Sequence, residues 1–372
     1  KWTAVEPDVL PAWVADMDLG IPGPVSARLR ETLDRQDLGY PYWPGGDPVA
    51  AAFADRMRDR FGWEPREGRT RVLSDLIQIL QIVIEHTTAP GDAVALHVPA
   101  YPPFLAAIQR AGRRIAALPL ERTATGWVID PDRHREIFAS SRPRLFVLVN
   151  PHNPTGRAFR EEELHGLAAL AAEHDIPVLS DEIHSDLAYE PHRHVPFASL
   201  GPGTAGRTIT ATSATKAFNL AGTRCAVVHV GHTPTAEALD RAPLDYFGTP
   251  SVLSRIATVA AWRESASWHR ATLDLLARNR DRVAAWAATH PEIVYLPPEA
   301  TYLAWLDLAG TGLTDPAGHL LRAGRVLLSA GHEFVQHTDI VGASFVRLNF
   351  ATTPEMLDAI LHRIDTALAV RR

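Results

Sequence analysis

Lys216 sits in SATKAFNLAG, residues 213–222, among small, apolar and uncharged polar neighbours. Lysine carries a hydrated ammonium, and burying it unpaired is costly. It follows the strand-like run RTITATS, and two other apolar runs end on comparable groups. RLFVLVN ends at Asn150 with Asn153 just beyond it, and PVLSDEI carries Asp181 with His184 after it. Ser213 stands just upstream of Lys216. An amine, a carboxylate and an amide at the ends of three strands make Lys216 a candidate nucleophile. Singly, each has a plainer reading: Asn153 shapes a turn, Asp181 pairs with a surface arginine, Lys216 snorkels to solvent. Their recurrence in one class of position weakens those readings.

Other chemistries lack their marks. No GxGxxG follows a strand and no GxxxxGK[ST] occurs, so dinucleotide and P-loop sites lack their glycine fingerprints in the required context. HExxH, CxxC and GxSxG are also absent. The histidine-bearing HRH at 192–194 reads as a solvated loop.

The elements that must position these groups alternate between helix and strand from about residue 48 to 230, which predicts an α/β fold with a mainly parallel sheet wrapped by helices. Candidate strands cover 92–98, 113–120, 144–150, 177–183, 207–213 and 225–231. Most are apolar throughout, as strands covered on both faces must be. In such sheets ligands bind beyond the carboxyl ends of the strands. EEELHGLAALAAEHD reads as a helix entered through the turn NPTG, and a long helical segment runs from SVLSRIATVAAW to AAWAATH. Short strands and helices then mix from about 292 to the end, as in a smaller α+β domain. The expected division is a large domain over 31–261 and a small one over 262–372, with residues 1–30 packed on the latter.

Composition is that of a globular protein: 372 residues, 46% hydrophobic, 22% charged, with a net charge of −6. An acidic balance argues against nucleic acid or an anionic membrane as the main partner. The apolar runs have strand length, well short of the roughly 20 residues of a membrane helix. The single cysteine, Cys225, suits a reducing cytosol, no secretory leader is recognisable, and a cytoplasmic protein is expected.

NPHNPTG, SDEIHSDL and SATKAFNLAGTR occur in the order and spacing of fold-type I pyridoxal-phosphate (PLP) enzymes, the aspartate aminotransferase superfamily. LPAWVADMD, GYPYWP, HVPAYPPF, ATYLAWLDL and FVRLNF extend the likeness over the whole chain. Together they resemble the MalY/PatB branch of cystathionine β-lyases, or C–S lyases. The resemblance implies a mainly parallel seven-stranded sheet between helices, a smaller α+β domain, and a homodimer with shared active sites.

It also implies roles for individual residues. Lys216 would form the internal aldimine with the cofactor and then move the Cα proton. Asp181 would hold the pyridine nitrogen, Asn153 the 3-oxygen, and Tyr101 the ring face, with His184 beside them. Ser213, Arg224 and the backbone at Leu76 and Ile77 would take the phosphate, joined by Tyr40 of the neighbouring subunit. Arg347 would clamp the substrate carboxylate, with Asn153 and Tyr40 nearby. The helix-start loop LSDLIQ departs from a glycine-rich pattern and puts Asp75 beside the phosphate, so its side chain must turn away, as it would in capping the helix. Arg224 follows the transaminase pattern.

The leading expectation is β-elimination from an S-substituted L-cysteine, giving a thiol, pyruvate and ammonia. His184, where aspartate-type transaminases usually carry tyrosine, favours the lyase branch. The alternatives are an aminotransferase for a neutral or aromatic amino acid, and a biosynthetic lyase or deaminase acting on a bulky cysteine conjugate. A purely regulatory protein is disfavoured, because the chain is acidic and carries no basic helix-turn-helix extension.

Overall fold

The computed structural model describes residues 1–243 and 246–370. Its centre is an eight-stranded sheet. In spatial order the strands are Thr70–Leu73, Ala226–Val230, Thr208–Thr212, Val178–Asp181, Leu145–Val149, Ala93–Val98, Arg114–Arg122 and Trp127–Ile129. The five strands from Thr208–Thr212 to Arg114–Arg122 are mutually parallel. Ala226–Val230 pairs antiparallel with both of its neighbours, and Trp127–Ile129 returns antiparallel along the outer edge. The sheet thus has eight strands rather than the seven expected. The extra one is the return arm of a hairpin turned at Thr123–Gly126, three residues long and too short for its periodicity to be read.

Alternate residues of the parallel strands face opposite layers, as a period of two requires. Val147 joins Leu80, Val83, Phe104 and Ile108 of the helices Leu76–Thr87 and Pro102–Arg110. Its neighbours Phe146 and Leu148 join Phe138, Leu164 and Leu167 of the helices Pro131–Ser141 and Glu161–Glu173. Each of these side chains, fully buried, contributes about 1.5–3 kcal/mol relative to exposure. Both faces are covered, so the carboxyl ends of the strands are the open edge.

Register sets those ends level. Val149 pairs with Asp181, and Asp181 with Ala211. The polar residues that follow, Asn153, Asp181 to His184, and Ser213 to Lys216, therefore emerge side by side. Between them the NPTG turn needs glycine, because Gly156 has φ +71° and a Cβ there would lie 2.2 Å from the Pro298 Cβ.

Two helices, Val252–Glu264 and Ala266–Ala287, lead to an antiparallel sheet of Val294–Tyr295, Leu303–Asp307, Phe345–Asn349 and Ser329–Ala330. Helices Pro316–Gly324 and Pro354–Ala369 accompany it. The first thirty residues divide their contacts. Leu10–Pro11 pairs with Val326–Leu327 of the C-terminal part, whereas helix Gly23–Asp34 packs on Val252–Glu264. No helix among the described residues is long and apolar enough to cross a membrane.

Candidate active site

Beyond the strand ends lies a cleft with about 780 Å³ of empty space, open to solvent on one side. Nine of the expected site residues line it: Leu76, Ile77, Tyr101, Asn153, Asp181, His184, Ser213, Lys216 and Arg224. Arg347 stands directly behind Asn153. Tyr40 does not enter this cleft; it is fully exposed beside a second one, with Tyr42, Trp43 and Arg255.

Lys216 follows the strand Thr208–Thr212, and its Nζ donates to the Ala15 carbonyl at 2.7 Å. Burial disfavours the ammonium and brings its pKa down to about 8, with Asp16 acting the other way. Asp181 closes its strand. Its Oδ1 accepts from the Ile183 N–H at 3.0 Å, and burial raises its pKa to about 7, against the pull of that hydrogen bond.

Arg347 lies on the strand Phe345–Asn349, between Leu303–Asp307 and Ser329–Ala330. Its Nη1 donates to Asn153 Oδ1 at 3.0 Å and its Nη2 to the Trp13 carbonyl at 2.9 Å, with the Phe334 ring 4.9 Å from the guanidinium. Burial lowers even this guanidinium, to about 10. Arg347 Nε has no hydrogen-bond partner among the described residues. His184 is buried edge-on to Tyr302, and its Nδ1 is likewise unpartnered. Burial, then Lys216 and Arg347, hold its pKa at about 3, so it stays neutral. Tyr101 precedes the helix Pro102–Arg110 and meets Phe104 edge-on, and burial raises its phenol pKa.

At the other end of the cleft the helix Leu76–Thr87 begins. The N–H groups of Leu76 and Ile77 make no hydrogen bond among the described residues, the usual state of a helix's first turn. Asp75 caps this helix as expected, accepting from the Gln78 N–H at 2.9 Å, but it does not turn away altogether: its other oxygen pairs with Arg224. Ser213 Oγ lies across from them, donating to the Cys225 carbonyl at 2.6 Å.

Sequence reasoning gave one wall no role in the site, although the wall lies within LPAWVADMD. The irregular strap Trp13–Asp16 closes the cleft with its backbone: Ala15 O also accepts from the Tyr302 hydroxyl, and Asn349 Nδ2 donates to the carbonyls of Val14 and Asp16. Carbonyls of a segment without periodicity leave no residue-type signal, although Asn349 beside Arg347 in FVRLNF was a trace of it. HRH also departs from its reading as a solvated loop. His194 turns inward and pairs with the buried Glu182 at 3.1 Å.

The fit to PLP can be judged from this donor set. A buried carboxylate and a buried amine share one apolar cleft, and open N–H groups and an arginine gather at a helix N-terminus suited to an anion. Two buried nitrogens, on His184 and Arg347, still lack partners. The residues fit the group.

The family model for class I and II aminotransferases matches residues 22–364. The chain belongs to this family. A putative cystathionine β-lyase of Mycobacterium tuberculosis is 36% identical, covering 100% of this chain and 95% of its own length. Among solved structures, one named OvoB superposes with a TM-score of 0.93 at 32% identity, covering 100% of this chain and 96% of that one. A PLP-bound C–S lyase of Staphylococcus hominis, complexed with the inhibitor L-cycloserine, gives 0.90 at 29% identity, with 97% and 88% covered. The Staphylococcus hominis enzyme is PLP-bound in that structure, and PLP is the cofactor of this family member too.

Proposed function

We propose that the protein is a PLP-dependent carbon–sulfur β-lyase, cleaving an S-substituted L-cysteine such as a cystathionine-like thioether to a thiol, pyruvate and ammonia. The observation that carries this reading is the convergence of Lys216, Asp181 and Asn153 with a neutral His184 in one cleft, in a chain whose relatives bear C–S lyase names.

PLP, when bound, supplies an electron sink that stabilises the charge left when the substrate Cα loses its proton. The chain's own residues do the rest. Asp181 would pair with the ring nitrogen and keep it protonated. Asn153 would hydrogen-bond the 3-oxygen and Tyr101 would cover the ring face. Leu76, Ile77, Ser213 and Arg224 would hold the phosphate. Arg347 takes the substrate carboxylate in a two-pronged pair, a geometry its planar fork suits. Lys216, partly unprotonated near neutral pH, takes the Cα proton. The Cβ–S bond then breaks, the thiolate leaves and is protonated, and water releases pyruvate and ammonia.

We also infer a homodimer with shared active sites in the cytoplasm. In support, Tyr40 is fully exposed and lies outside its own chain's cleft, free to reach a partner's. A single buried cysteine suits a reducing compartment.

The test is turnover of L-cystathionine by the purified holoenzyme. Pyruvate and free thiol should appear in equal amounts with no keto acid added. Keto-acid-dependent amino transfer, with no pyruvate from any cysteine conjugate, would reject the proposal in favour of an aminotransferase.

A further inference from the structure

The phosphate end of the cleft already contains an anion of its own. Asp75 Oδ1 occupies the Gln78 N–H at 2.9 Å, one of the helix-start donors, and Oδ2 occupies the guanidinium of Arg224. One carboxylate thus takes two of the donors that a phosphate at this helix N-terminus would use, leaving the N–H groups of Leu76 and Ile77 open. We propose that Asp75 is a built-in competitor for the cofactor phosphate and weakens PLP binding; this rests on the reading of the cleft as a PLP site.

Two features make the competition reversible. Arg224 is 61% exposed and Asp75 22%, and an ion pair with one partner so exposed holds weakly. Arg224 also stands at the end of the turn Ala221–Thr223, on a left-handed residue with φ 55°, so its long side chain can swing from carboxylate to phosphate without moving a helix. The Asp75 charge remains beside the bound phosphate in either case, and like charges in a partly enclosed site repel. Asp75 therefore limits how firmly the cofactor stays, and free PLP concentration governs how much of the protein is loaded.

The experiment is an equilibrium titration of cofactor-free protein, read by tryptophan fluorescence and visible absorbance. Asp75→Asn and Asp75→Ser both keep a side-chain cap for the helix and remove the charge. Each should bind PLP about tenfold more tightly than the unmodified protein, about 1.4 kcal/mol. Pyridoxal, which has no phosphate, should bind all three alike. Arg224→Gln should weaken PLP binding more in the Asp75→Asn background than alone, because Asp75 no longer sequesters the arginine. Unchanged affinity in both variants overturns the proposal. Weaker PLP binding also overturns it, and would mean that Asp75 aims Arg224 at the phosphate. An equal gain for pyridoxal overturns it as well. Failure of all three proteins to bind PLP overturns the cofactor reading itself.

Discussion

Replacing Asp181 with asparagine separates what the carboxylate does for the cofactor from what it costs the empty fold. Burial raises its pKa from 3.8 to about 7. A group whose folded pKa is raised holds its proton where the unfolded chain has lost it. Its contribution is therefore fully present below pH 3.8 and declines as the pH rises to about 7. At about 1.4 kcal/mol per pH unit, the decline from pH 5 to the end of that window amounts to about 3 kcal/mol. Asparagine does not titrate, and its oxygen can still accept from the Ile183 N–H. For a chain of this size, 3 kcal/mol corresponds to about 4 °C in Tm. Cofactor-free Asp181→Asn should thus gain about 4 °C over the unmodified protein between pH 5 and pH 8. Its holoenzyme should lose at least about 100-fold in kcat, because the ring nitrogen has lost its anion. Calorimetry on the two cofactor-free proteins at both pH values reads the first effect, and pyruvate release the second. A stability gap independent of pH would refute the assignment of a buried, reluctantly charged carboxylate, and undiminished turnover would refute its role.

The Lys216 amine attacks only when unprotonated, so the rate at which cofactor-free protein takes up PLP should rise with pH through about 8 and then level, as stopped-flow absorbance will record. Arg347→Lys keeps the charge but loses the fork, and kcat/KM for an S-substituted cysteine should fall about 10- to 100-fold with PLP content unchanged. Gly156→Ala forces a Cβ to 2.2 Å from Pro298 at φ +71° and should cost about 3 kcal/mol or more, measured by denaturant unfolding, with loss of the turn that carries Asn153.

The parts of the site carried by residue type were legible in the sequence. Asp181, Asn153 and Lys216 each follow a run of buried β-formers, so both the strand and its polar end could be read. What eluded reading was carried by geometry. The Trp13–Asp16 strap acts through backbone carbonyls, which every residue has. Trp127–Ile129 is too short to show alternation, and it exists only because the Thr123–Gly126 turn folds it back on its neighbour. The Asp75–Arg224 pair spans 149 residues of chain, and no local pattern announces which of the many arginines an aspartate will meet. Helix capping by Asp75 was readable for the opposite reason, since it depends only on the next three residues. His194 was misread because an HRH tripeptide looks solvated until Glu182, twelve positions away, supplies a buried partner.

The central claim is that Lys216 anchors PLP, and the sequence makes one measurement unusually clean. The chain contains two lysines, Lys1 and Lys216, and Lys1 is ion-paired to Asp18 at 2.8 Å. Borohydride reduction of the holoenzyme, followed by digestion and mass spectrometry, should place one reduced pyridoxyl phosphate on the Lys216 peptide and none elsewhere. A label on Lys1 or the amino terminus, or a reduced protein that carries no stable label, would contradict the account.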